Sequence, residues 1–132
     1  MKEVVSIGCL YFDKHKFKKH LKRRKSDGMN TENQYIKKIK DVVLNFDRVF
    51  EVKRKRNKDQ YNLFVSKTGW VVLFSINDFM IHSCLKMYEG FTPDDFLQFM
   101  KDSDKALLSY KEVDYENDEF QRIIRKIQKD IK

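Results

Sequence analysis

The sequence predicts an α+β fold: an antiparallel meander of four to five strands with helices packed on it. Three observations carry that reading. Residues 48–88 alternate apolar and polar positions with period two, the segments before and after repeat apolar residues every three or four, and the breaks between them hold turn and capping residues. The 132-residue chain is long enough for one domain with its own core. We read residues 1–132 as that single domain, with a body over about 3–102 and a C-terminal amphipathic helix over about 117–131.

Residues Glu3–Phe12, rich in β-branched and aromatic side chains, read as a first strand. Asp13 is placed to cap a helix on which Phe17 and Leu21, four apart, share an apolar face. On that helix His20 lies beside the apolar face, with Lys16, Arg23 and Arg24 one turn away. "SDGMNTEN" is a turn, after which Thr31 and Gln34 form a capping box opening a helix to about Phe46. "RVFEVKR", "QYNLFVSK", "GWVVLFSI" and "FMIHSCLKMY" are four strands separated by "KRNKD", "KTG" and "ND". The third is apolar on both faces and so central. Thr92, Pro93 and the acids behind them open another helix, and Phe120, Ile123, Ile124, Ile127 and Ile131 line one face of the last.

The net charge is +8, and its distribution is uneven. Lys14, Lys16, Lys18, Lys19, Lys22, Arg23, Arg24 and Lys25 follow one another with no acid between them. A second cluster, "KRKRNK", brings Lys53, Arg54 and Arg56, while the acids gather in Glu112–Glu119. A one-sided positive field suits a polyanion, because Lys and Arg neutralise phosphates and release condensed counterions. No stretch approaches the roughly 20 apolar residues of a membrane span, and the N-terminus lacks a signal-peptide pattern, so a cytoplasmic protein with no membrane partner is expected. Cys9 and Cys84 lack metal-ligand spacing and read as buried small hydrophobes.

The three histidines, His15, His20 and His82, fall in no HxH or HExxH pattern, and no P-loop or GxGxxG occurs. Neither a metal nor a cofactor is expected. Metal-free cleavage of RNA fits better, since the 2'-hydroxyl supplies the nucleophile and the protein needs only a base, an acid and a cation. "KKHLKRR" holds a histidine among cations, which disfavours its protonated form and leaves neutral imidazole as a base. In "FMIHSCLKMY", strict alternation puts Phe79, Ile81, Ser83, Leu85 and Met87 on one face. His82, Cys84 and Lys86 then share the other, where His82 and Lys86 can reach a ligand.

"KFKKHLKRR" followed by "NLFVSKTGWVVLFSINDFMIHSCLKM" resembles the tRNase domain of colicin D and its phage-type relatives in the barnase, EndoU, colicin and RelE superfamily. The resemblance spans roughly residues 5–102, the nuclease-like body. It implies His20 as general acid/base, Lys19 with Lys22 or Arg23 stabilising the transition state, and Ser83 bonding substrate phosphate, with Lys86 in the same motif. The implied activity is a metal-independent endoribonuclease, a tRNA-directed toxin or phage-associated effector leaving a 2',3'-cyclic phosphate, with an acidic antitoxin or immunity protein as partner. Two other classes stay open: a non-catalytic nucleic-acid binder using the same cations, and a phage inhibitor that captures an acidic partner protein.

Overall fold

The structure is a computed structural model that describes residues 3–54, 60–87, 89–102, 107–114, 116 and 118–132, with the backbone alone at 54, 107 and 108. The chain runs β1 (Val4–Ile7), β2 (Leu10–Asp13), α1 (Lys14–Arg23), a 3-10 turn (Arg24–Asp27), α2 (Glu32–Leu44), β3 (Phe46–Arg54) and β4 (Gln60–Ser66). It continues with β5 (Trp70–Phe74), β6 (Met80–Lys86), α3 (Pro93–Asp102), β7 (Leu107–Glu112) and α4 (Asp118–Ile131). The α+β class holds. The sheet, however, is larger than the meander expected: among the described residues it has seven strands in the order β1-β2-β6-β5-β4-β3-β7.

The meander lies inside it as β3 to β6, each strand antiparallel to the next. Two additions at its edges correct the expectation. The first segment folds back at Gly8, which sits at φ +61°, so one expected strand becomes the β1–β2 hairpin. A Cβ there would lie 2.7 Å from the Ile131 side chain and 2.9 Å from Asp130 Oδ2, so the turn also seats the end of α4. β2 then runs parallel to β6, pairing Tyr11 with Met80 and Phe12 with Ile81, which makes the sheet mixed. On the opposite edge β7, not anticipated from the sequence, pairs antiparallel with β3.

The helices start where their capping residues sit. Asp13 accepts the Lys16 N–H at 3.0 Å, and Thr31 and Gln34 make the reciprocal capping box of α2. Thr92 Oγ1 accepts the Asp95 N–H at 3.1 Å while the Thr92 N–H donates to Asp95 Oδ2 at 3.2 Å. One apolar core lies between the sheet and α1, α2 and α4, built on Phe12, Phe17, Tyr35, Ile39, Phe64, Phe74 and Ile127. A second lies on the other face, where α3 brings Phe96 and Leu97 onto Phe50, Leu63 and Val71. The C-terminal helix thus completes the first core through Ile124, Ile127 and Ile131. Arg48 forks onto Glu112 with two bonds of 2.9 Å and reaches Asp94 at 3.6 Å, tying β3, β7 and α3 together. Among the described residues no helix is long and apolar enough to cross a membrane.

Candidate nucleic-acid interface

α1 is held to the sheet by Phe17, fully buried, and by Leu21 at its margin. Burying a phenylalanine side chain is worth roughly 1.5–3 kcal/mol, which orients the helix and turns its remaining positions outward. Lys16, Lys18, Lys19, Lys22 and Arg23 are exposed, and none of them forms an ion pair with a described residue. Lys14 is held 3.1 Å from Glu3, and Arg24 3.6 Å from Asp27. The outer face of α1 is therefore a row of cations facing solvent. Lys38 is placed differently, 5.4 Å over the ring of Trp70, where it covers core.

His20 leans from α1 onto β2, its ring 5.6 Å from that of Phe12. Burial first, then the charges of Arg23, Arg24, Lys16 and Lys19, lower its pKa to about 4. The imidazole is neutral near pH 7, and the direction matches the reading of "KKHLKRR" as cations that disfavour the protonated form. Nearby, the Tyr35 hydroxyl donates to the carbonyl of Cys84, and burial pushes both that hydroxyl and the Cys84 thiol well above their usual ranges. Cys84 is buried as expected, whereas Cys9 is exposed.

The second motif is split between the two faces of the sheet. Pairing of β5 with β6 runs Ser83 to Leu73 and then Ile81 to Phe74, so His82 is the extra residue of a β-bulge. The bulge breaks the expected alternation. Ile81 and Cys84 both enter the core under α1 and α2, while Ser83, opposite Leu73, and Leu85 face the α3 side. His82 is on that side too, its ring 4.2 Å from the ring of Tyr61. Ser83 and His82 are thus on the sheet face opposite His20, and the expected grouping of His82 with Cys84 and Lys86 is corrected. Lys86 does keep the α1 side, paired with Trp70.

The other cluster is remote. Lys53 is exposed on β3, four strand positions from β2 in the sheet, roughly 19 Å at 4.8 Å per strand. Arg56 and the side chain of Arg54 lie outside the described residues.

What sequence reasoning missed is a cleft of about 530 Å³ where α1 ends. Arg23 and Arg24 form one wall, Leu85 and Lys86 at the end of β6 the floor, and Phe96, Phe99 and Met100 of α3 the other wall. One sign was available: Phe96, Leu97 and Met100 satisfy the inward face of α3, leaving Phe99 over, and it is 56% exposed. Among the described residues no group of three or more His, Cys, Asp and Glu side chains is placed to hold a metal ion.

This arrangement defines a mixed-sheet α+β protein with a helix of cationic outer face beside an amphipathic cleft. The chain belongs to the family described as "Uncharacterised protein aq_aa01", whose model matches residues 5–93, the stretch from β1 through β6 to the first residue of α3. No curated protein and no solved structure matches it.

Proposed function

We propose that the protein binds RNA through the outer face of α1. The observation that carries this reading is the row of Lys16, Lys18, Lys19, Lys22 and Arg23, exposed and without acidic partners among the described residues. Each cation that meets a phosphate releases condensed counterions, so affinity falls steeply with salt. tRNA is the substrate class that the resemblance to colicin D favours.

A second reading rests on His20. A neutral imidazole among cations can take the proton of a 2'-hydroxyl, and Lys19 and Arg23 are the neighbours that would stabilise charge on the phosphorus. A phosphate bound beside it reverses the electrostatic bias and helps it return the proton. Ser83 has no part in this version, because it sits on the other face of the sheet.

Both readings are tested by incubating purified protein with total tRNA in EDTA over a salt series, alongside a His20→Ala variant. Salt-sensitive binding without cleavage supports the binder. Cleavage that persists in EDTA and disappears in the variant supports the ribonuclease, and an acidic antitoxin or immunity protein then becomes the partner to seek. Cleavage unchanged in the variant removes His20 from the mechanism. Absence of binding at low salt rejects both, and co-purification of an acidic protein without RNA then favours the inhibitor class.

A further inference from the structure

The geometry points to the cleft at the end of α1 as a seat for single-stranded RNA, with an unstacked base on Phe99 and flanking phosphates on Arg23 and Lys86. This rests on the RNA-binding reading and adds which form of RNA is taken and where its bases go. Three observations support it.

The first is chemical. Phe99 is 56% exposed, and its ring stands 6.3 Å from that of Phe91, itself 37% exposed. A lone exposed aromatic needs no explanation, but two in contact beside half-buried Met100 make an apolar patch. Every base has a π-face that such a platform accepts regardless of sequence.

The second is electrostatic. Asp27 and Glu89 also line the cleft, but Asp27 is engaged by Arg24 at 3.6 Å. Arg23 and Lys86 have no acid within ion-pair distance among the described residues. Two uncommitted cations, one on the α1 wall and one on the floor, face the apolar wall of α3, so phosphates held by the cations leave a base of the same strand free to reach Phe99. The third is continuity: Arg23 belongs both to the cationic row of α1 and to the cleft, so a strand tracking the helix is delivered into it.

A duplex does not fit this description, because its base faces are stacked inside and its edges lie in grooves. The expectation is therefore a preference for single strands that depends on an aromatic, above a salt-dependent attraction common to both forms.

The experiment measures binding of an oligouridylate of about eight nucleotides and an RNA duplex of similar length by fluorescence anisotropy, at fixed salt. Wild type should favour the single strand. Phe99→Ala should weaken single-strand binding about 5- to 160-fold, the range expected for one stacked base, and leave duplex binding within about twofold. Phe99→Tyr should restore it, and because the side chain is largely exposed both variants should keep the wild-type melting temperature. Arg23→Gln should weaken both ligands. Wild-type binding to both RNAs that Phe99→Ala leaves unchanged overturns the cleft and spares the α1 reading; equal loss on both ligands also overturns it. Failure of wild type to bind either RNA removes both.

Discussion

α1 and α4 are both amphipathic, both dock on the same face of the sheet and both carry several exposed cations, yet their first turns carry opposite charge. α4 opens with Asp118 and Glu119 and places Lys129 in its last turn, as the helix dipole prefers. α1 has no acid in its first turn, which instead contains Lys14 and Lys16, the wrong sign for a helix N-terminus. The charges of α4 are explained by the stability of α4. Those of α1 are so explained only in part, by the Asp13 cap, the Lys14–Glu3 pair and the last-turn Lys22 and Arg23. Lys16 in the first turn and Lys18 and Lys19 in the middle add nothing to the stability of the helix and are free to serve something outside it.

Removing the apolar anchors should affect the two helices alike. Phe17→Ala and Ile127→Ala each empty a fully enclosed site and should cost about 3–5 and about 2–5 kcal/mol respectively by denaturant unfolding. A loss at Phe17 below about 1 kcal/mol would mean that α1 is not docked as described.

The polar faces should then separate. Lys16→Glu puts an acid into the first turn of α1 and should raise stability by about 0.3–1 kcal/mol while lowering RNA affinity. The opposite change in α4, Glu119→Lys, should lower stability by a similar amount and leave RNA affinity the same or slightly higher. If Lys16→Glu leaves RNA binding untouched, the excess charge of α1 serves some other purpose.

The histidine adds a pH signature that α4 cannot produce. With the folded-state pKa of His20 at about 4 and the unfolded value at 6.5, only the unfolded chain gains this proton between those limits. Its contribution to stability is therefore full above pH 6.5 and declines as pH falls towards 4. His20→Gln should flatten the profile in that window relative to wild type. An unchanged difference between the two curves would show His20 to be solvated rather than leaning on Phe12.

Much of the fold was legible because local rules wrote it. The period-two runs gave β3 to β6, and Asp13 and the Thr31–Gln34 box marked the starts of α1 and α2. The misses were non-local. Gly8 hides a reversal inside an apolar run, and nothing nearby announces that β2 will lie parallel to β6. β7 is paired by the distant β3, joined to it through Arg48 and Glu112. At the site, the cations around His20 could be read directly, since helical spacing fixes its neighbours, whereas its burial against Phe12 depends on the fold. The face of Ser83 could not: one bulge residue, His82, inverts the alternation on which the reading depended.

The salt dependence of RNA affinity separates the roles of the two helices. Lys16, Lys19, Lys22 and Arg23 of α1 are changed together to Gln in one protein, and Arg122, Arg125, Lys126 and Lys129 of α4 in another, so that both lose four exposed cations. Binding through α1 predicts that the α1 variant flattens the slope of log K against log salt by about 3, near 0.7 for each single-strand phosphate no longer neutralised, and that the α4 variant shifts it by less than about 1. Equal slopes in the two variants would contradict that binding mode, because RNA would then be sensing the net charge of the protein and not the face of α1.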